Sequence, residues 1–162
     1  MIRPATKADL PGIADIWNPV IRDTFVTFNA QEKSEAELRA MMAQKEAAGH
    51  AFMVAMLGDR IAGFATYGQF RGGIGYARTM EHTVILAPWA RGQGMGRDLM
   101  AAIESHARQG GAHSMFAGVS AANPEGRAFH ARLGYAEVAL LREVGFKAGR
   151  WLDLVLMQKL LD

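Results

Sequence analysis

Apolar residues along the 162-residue chain recur first with a helical period and then with a strand period. After Met1-Ile2-Arg3, Thr6 can cap a helix, with Asp9 three residues on. Leu10, Ile13, Ile16 and Trp17 follow at helical spacing, and Asn18-Pro19 is expected to stop the pattern. Ser34 with Glu37 marks a second helix start, running to Ala48 and closed by Gly49. From Ala51 the period changes. Phe52–Leu57, the Gly58-Asp59 turn and Arg60–Tyr67 read as a hairpin. Gln69 to Ala77 is Gly-rich and reads as a loop; Thr79 to Leu86 is the next strand, ended by Ala87-Pro88. Gly92 to Arg108 begins as a glycine turn and becomes an amphipathic helix, with Leu99, Ala102, Ile103 and His106 on one stripe. His113–Ser120 reads as a strand and Asn123-Pro124 opens a helix that runs to Leu133. Tyr135–Glu143 and Trp151–Lys159 are the closing strands, with Gly145-Phe146-Lys147-Ala148-Gly149 expected as the loop between them. No linker or repeat interrupts this order, so one α/β domain is expected over residues 1–162.

Composition narrows the function classes without choosing one. Half of the residues are hydrophobic and 21% are charged, a globular balance. No apolar run approaches the roughly 18 residues of a membrane span, and Met1 to Thr6 lacks the apolar stretch of a secretory signal. A cytoplasmic protein is the simplest expectation. The absence of cysteine excludes disulfides, thiolate metal sites and a cysteine nucleophile. Net charge is only +2, and Lys and Arg are scattered, so neither a nucleic-acid-binding face nor a membrane-binding one is expected. The five histidines (His50, His82, His106, His113 and His130) show no ligand spacing with carboxylates, and no metal is expected.

The segment Val84-Ile85-Leu86-Ala87-Pro88-Trp89-Ala90-Arg91-Gly92-Gln93-Gly94-Met95-Gly96-Arg97 carries the most chemistry. It sets an apolar strand, a turn and three alternating glycines directly before a helix. Glycines let the backbone curl so that several N–H groups converge, and the helix N-terminus adds partial positive charge. That makes a pyrophosphate cradle, with Arg91 and Arg97 as counter-charges. A dinucleotide fingerprint does not fit: counted from Gly92 its last glycine is Arg97, and from Gly94 it is Leu99. A P-loop does not fit either, because no lysine follows a glycine. A ligand-free tight turn is the competing reading, but three glycines at a helix start weaken it unless something uses them.

Arg91-Gly92-Gln93-Gly94-Met95-Gly96 resembles the [Gln/Arg]-x-x-Gly-x-[Gly/Ala] acetyl-CoA motif of the GNAT acetyltransferase superfamily. The chain is similar, more narrowly, to the phosphinothricin and methionine sulfoximine acetyltransferases. The shared blocks are Ile2-Arg3-Pro4-Ala5, Glu81-His82-Thr83-Val84, Asn123-Pro124 through Phe129-His130 to Leu133-Gly134-Tyr135, and Gly149-Arg150-Trp151-Leu152-Asp153. The resemblance implies a GNAT fold, a mixed, mostly antiparallel, V-shaped sheet flanked by about four helices. It implies acetyl-CoA as co-substrate. The pantetheine arm would pair with Val84, Ile85 and Leu86, the pyrophosphate would sit on the amides of Gly92 through Arg97, and Asn123 would contact the cofactor near its thioester arm. It also implies a homodimer.

Acetyl transfer to an amine needs a base, because amines with a pKa of about 8 or more arrive protonated. Glu81 matches the family's proposed general base, acting directly or through a water. Read alone, it is more readily a rim glutamate in an ordinary salt bridge. His130 stands seven residues after Asn123, where many superfamily members carry tyrosine, and could protonate the leaving thiolate or orient the reacting groups. Arg71, Tyr76 and Arg78 could grip a carboxylate, phosphinate or sulfone oxygen. His82 adjoins Glu81, and Thr83 lies on the same side of the strand as Glu81, so both are candidates for the substrate side. Phe25, Phe28, Tyr67 and Phe70 could wall the pocket, with core packing as their default. The resulting expectation is acetylation of a small amino-acid-like amine by direct transfer. Acetylation of a protein N-terminus and a non-catalytic CoA-binding module are the alternatives. Removing the Arg71–Tyr76 loop would separate small-acid from peptide binding.

Overall fold

A computed structural model describes all 162 residues, and its elements follow the apolar periods closely. The strands are β1 (Ile2–Pro4), β2 (Phe52–Leu57), β3 (Arg60–Gln69), β4 (Thr79–Leu86), β5 (Ser114–Ser120), β6 (Ala136–Lys147) and β7 (Arg150–Leu160). The helices are α1 (Leu10–Asp23), α2 (Glu35–Ala47), α3 (Met95–Gln109) and α4 (Pro124–Arg132). They form one seven-stranded sheet in the order β1-β2-β3-β4-β5-β7-β6, with helices on both faces. Every neighbouring pair is antiparallel except β4 with β5. No helix is long and apolar enough to cross a membrane.

The start signals act as their chemistry dictates. Ser34 caps α2 by accepting from the Glu37 N–H at 3.1 Å, and the Glu37 carboxylate accepts from the Ser34 N–H in return. Asp9 accepts from the Thr6 N–H at 2.7 Å and takes both arms of Arg3 at 2.8 Å, tying β1 to the start of α1.

Two expectations are corrected. Helix α1 does not stop at Asn18-Pro19 but continues to Asp23 with Pro19 inside it. An interior proline costs about 3 kcal/mol, partly through the carbonyl four residues back. Here that carbonyl belongs to exposed Asp15, where water can serve it, and the last turn buries Ile21 completely. The Asn18 side chain also clamps the backbone of Lys33, accepting at 2.8 Å and donating at 3.0 Å. The second correction concerns Gly145–Lys147, which continues β6 by pairing with Arg150–Leu152. Only Ala148 and Gly149 turn the chain, with φ of 50° and 74°, the left-handed pair that suits a two-residue hairpin turn.

Two apolar layers hold the sheet. On one face Leu99, Met100, Ile103 and Ala107 of α3 pack on Met115, Ala117, Val155 and Met157. His106, expected on that stripe, is only half-buried and its Nδ1 lies 2.7 Å from the Tyr67 hydroxyl. On the other face Leu10, Ile13, Trp17, Ile21 and Leu38 cover Phe52, Val54 and Phe64. Both layers converge on the parallel β4–β5 pair. Its register covers only Thr79–Glu81 against Ser114–Phe116, after which the strands part. The sheet is therefore V-shaped, open from residue 82 on one arm and residue 117 on the other.

Candidate active site

The opening between β4 and β5 holds two joined clefts. The larger, about 530 Å³, runs along Val84, Ile85 and Leu86 to the glycine segment, where Arg91, Gly92, Gly94, Gly96 and Arg97 line it. The smaller, about 250 Å³, is lined by Glu81, His82, Thr83, Gly118 and Ser120 on the two arms, with Trp17, Phe28 and Leu154 as walls. Val26, Val84, Ile85, Asn123 and His130 border both, so they stand at the junction.

The glycines of the larger cleft have separate reasons. Gly94 caps α3 at φ 82°, in the left-handed region. A Cβ on Gly96 would lie 3.1 Å from the Phe129 ring and 3.2 Å from Leu86, so this glycine lets α3 close on the sheet. The first turn of α3 leaves the amides of Met95, Gly96 and Arg97 without intrahelical acceptors. Together with the two arginines they form a positive, donor-rich mouth suited to a diphosphate. The side chains of Gln93 and Met95 do not line it: Gln93 turns back on the Trp89 carbonyl at 3.4 Å and Met95 packs against the core. Val84, Ile85 and Leu86 are hydrogen-bonded only to β3, which leaves their other edge open to an extended ligand. Asn123 caps α4 through its Oδ1, which accepts from Gly126 N at 3.0 Å. A Cβ on Gly126 would fall 2.4 Å from Asn123 Nδ2, so the glycine makes room for that amide.

Glu81 lies where the strands part. Its carboxylate crosses the gap to β5, and a Cβ on Gly118 would come within 2.9 Å of its Oε2. It is half-buried, with no hydrogen bond and no ion pair. Burial pushes its carboxyl above the ordinary carboxylate value, and the Lys45 ammonium pulls the other way. Lys45 comes from α2 and lies against Gly68, the β3 partner of Glu81. Burial lowers Lys45 in turn, with Glu81 opposing.

His82 points to the opposite side of β4 and is 7% exposed. Its Nε2 is 2.9 Å from Nε2 of His130, whose Nδ1 is 2.7 Å from the Gly126 carbonyl. Tyr135 packs edge-on against both rings, and its hydroxyl donates to Glu104 at 2.9 Å. Burial, then the adjacent His130, hold His82 down to about 3, against a weaker pull from the Phe116 backbone. Burial also lowers His130, with the Gly126 carbonyl and Glu104 opposing.

Glu81, Thr83, Val84 to Leu86, Arg91, the glycines, Arg97, Asn123 and His130 are thus brought together. Arg71, Tyr76 and Arg78 are not. They sit on the exposed loop that joins the ends of β3 and β4 and line neither cleft. The Arg71 guanidinium stacks 5.5 Å over the Tyr76 ring, and the Arg78 carbonyl accepts from His113 and Ser114. Of the four aromatics named as possible walls, only Phe28 lines the smaller cleft; Phe70 stacks on Phe116 at 4.5 Å.

Several neighbours were invisible in the sequence. Trp17 reads there as one residue of a helical stripe, and Gly118 only as one position of a strand. Lys147 is 5% exposed and donates to the carbonyls of Thr24 and Thr27, fixing the loop that carries Val26, Thr27 and Phe28. Gly145 leaves space for the Phe28 ring, which a Cβ there would meet at 2.4 Å.

A splayed β4–β5 pair whose wide end meets a glycine-led helix is the architecture of an acyl-CoA-handling transferase fold. The family model for the acetyltransferase (GNAT) family matches residues 15–135. The L-amino acid N-acyltransferase MnaT of Escherichia coli is 35% identical over 161 residues, covering 99% of this chain and 94% of its own. The L-methionine sulfoximine/L-methionine sulfone acetyltransferase of Salmonella typhimurium is 34% identical over 161 residues, with the same coverage. The solved structure of yncA, a putative acetyltransferase from Salmonella typhimurium with its cofactor acetyl-CoA, superposes with a TM-score of 0.95 at 33% identity, covering 100% of this chain and 94% of that one. The chain belongs to the GNAT acetyltransferase family and is an acetyl-CoA-dependent N-acetyltransferase.

Proposed function

We propose that the protein transfers the acetyl group of acetyl-CoA to the amine of a small amino-acid-like zwitterion, with Glu81 as general base. Methionine sulfoximine, methionine sulfone and phosphinothricin are the substrates to try first. The observation that carries the reading is the unpartnered, half-buried carboxylate of Glu81 in the smaller cleft, next to the glycine-lined one. The size of that smaller cleft, about 250 Å³, favours an amino acid over a polypeptide.

Acetyl-CoA supplies an activated thioester acetyl group and departs as the thiolate, which takes up the second proton released from the acylated nitrogen. The amides of Gly92 to Arg97, with Arg91 and Arg97, hold the diphosphate; Val84 to Leu86 offer their free strand edge to the pantetheine arm. The substrate arrives largely as an ammonium ion, since such amines titrate at about 8 or above. Glu81, raised by burial, accepts a proton from it directly or through one water, freeing the nitrogen lone pair. Trp17, Phe28 and Leu154 exclude bulk water from that exchange. Asn123 and His130 stand at the junction and orient the thioester. Both His130 nitrogens are engaged, which favours orientation over proton donation.

The β6–β7 hairpin leaves Val138, Leu140, Val144, Phe146 and Trp151 each more than half exposed, which supports burial against a second copy in a homodimer. Light scattering giving a monomer mass would remove that part.

The test is release of CoA, followed with a thiol-reactive dye against a panel of amino acids; the protein contributes no thiol of its own. Turnover with one of the three compounds, cut about 100-fold or more by Glu81→Gln, is the expected result. Acetyl-CoA binding without turnover on any panel member would sink the substrate reading.

A further inference from the structure

The contact with the Gly126 carbonyl selects one arrangement of protons for the neutral His82–His130 pair. A backbone carbonyl accepts and never donates, so His130 Nδ1, 2.7 Å from the Gly126 carbonyl, carries a hydrogen. Neutral His130 then presents a bare Nε2. The atom facing it at 2.9 Å is Nε2 of His82, which must be the donor. His82 is left with a bare Nδ1, and that atom is the one buried side-chain polar atom in the protein with no hydrogen-bond partner. The pair is thus a directed chain of hydrogen bonds, from His82 through His130 to the first turn of α4. The same turn carries the Asn123 cap, because Gly126 both accepts from His130 and donates to Asn123.

We propose that His82 is a positioning residue for the acetyl transfer: its Nε2–H locks His130 in the neutral Nδ1–H tautomer where the two clefts meet. This rests on the acetyltransferase reading above. Several consequences follow from the lock. His130 offers the cleft no free N–H, so it does not donate the proton taken up by the departing thiolate. The ring stays uncharged beside the reacting groups. Its fixed orientation holds Gly126, and through Gly126 the Asn123 amide, at the junction. The lowered titration of both rings agrees with this. Around the pair, Tyr135 packs on both rings, Glu104 lies behind Tyr135 with Lys159 bound to it at 2.9 Å, and the Phe116 backbone flanks His82 from β5. Among these side chains the charges are the Glu104–Lys159 ion pair behind Tyr135, and Glu104 favours the protonated form of His130 against the larger effect of burial. A proton added to the pair has only His82 Nδ1 to enter.

The lock is tested in the resting protein, without turnover, by long-range ¹⁵N–¹H correlation spectra of the histidine rings. His130, assigned with a His130→Asn sample, is expected as the Nδ1–H tautomer, unchanged between pH 5.5 and 8 (about one unit either side of histidine's ordinary value). His82→Met removes the donor and is expected to give a His130 that titrates and samples Nε2–H. His82→Gln keeps an N–H donor and is expected to restore the wild-type pattern. In kinetics, losing one hydrogen bond corresponds to about five- to tenfold. His82→Met should therefore lower kcat by that factor with KM for acetyl-CoA nearly unchanged, and His82→Gln should recover most of it. An Nε2–H signal from His130 in the wild type overturns the proposal, even if His82→Met fails to fold. So does an unaltered His130 pattern in a folded His82→Met. A correct tautomer with no turnover on any amine would instead sink the substrate reading and leave the lock standing.

Discussion

Gly118→Ala separates the position of the Glu81 carboxylate from every other property of the site. An added Cβ would stand 2.9 Å from Glu81 Oε2, and its next neighbours are the Leu154 methyls at 3.6 and 3.8 Å, which are ordinary contacts. Gly118 is not among the glycines with positive φ, so alanine meets no backbone strain there. The carboxylate is the flexible end of a side chain and yields by roughly 0.5 Å to reach a normal van der Waals separation. Stability should change by less than about 1 kcal/mol, because the small entropic gain of Gly→Ala offsets the push on Glu81. Activity should not be spared. A displacement of about 1 Å at a reacting group costs about 100-fold, so half of that costs about tenfold in kcat/KM. The assay is dye-detected CoA release, paired with a thermal melt and with acetyl-CoA binding by calorimetry. A second arm combines Gly118→Ala with Glu81→Gln. If the loss runs through Glu81, the double variant is no slower than Glu81→Gln alone. Turnover within twofold of wild type, or a full additive loss in the double variant, would refute the placement of the base at this carboxylate.

Lys45→Met removes the ammonium that favours the ionised form of Glu81, so the carboxyl rises further and the acid limb of the kcat/KM profile moves to higher pH; an unmoved limb would show that Lys45 does not act on the base. Lys147→Met strands the carbonyls of Thr24 and Thr27 and loosens the loop bearing Thr27 and Phe28, so KM for the amine should rise about fivefold. KM for acetyl-CoA should rise less, as initial-rate kinetics on both substrates would show. The hydrogen bonds from Arg3, helped by the Thr6 N–H against the cost of burial, hold Asp9 at about 2, below its ordinary 3.8. The folded-state value is the lower one, so this contribution to stability is complete above about pH 4 and is lost as pH falls towards 2. Arg3→Leu should therefore lower the urea midpoint at pH 7, and clearly less at pH 2.5, where Asp9 is already largely protonated when unfolded.

Much of the secondary structure was legible because its causes are local. The Ser34/Glu37 cap, the Gly58-Asp59 turn and the glycine lead into α3 each act within a few residues, and each stands where its chemistry predicts. The two misread boundaries mark the limit of that locality. Pro19 is a stop signal on its own, and only the burial of Ile21 against the sheet carries α1 past it. Gly145 to Lys147 look like a loop until β7 is there to pair with them.

The site divides the same way. The diphosphate mouth could be located in the sequence because one continuous segment builds it, and the strand bearing Glu81 could be located because it leads directly into that segment. What the sequence by itself determined, then, is the set of elements, the family-like glycine cradle and the strand that carries Glu81, all products of short-range backbone preference and side-chain periodicity. What only the tertiary structure decided is who meets whom. Lys45 approaches Glu81 from another helix, His82 finds His130 across 48 residues, and Lys147 reaches Thr27 across 120. The V between β4 and β5 belongs to that second group as well, since it exists because the register stops at Glu81 and Phe116. Such juxtapositions depend on strand order and on how two packed faces divide the apolar residues, and no short window of sequence records either.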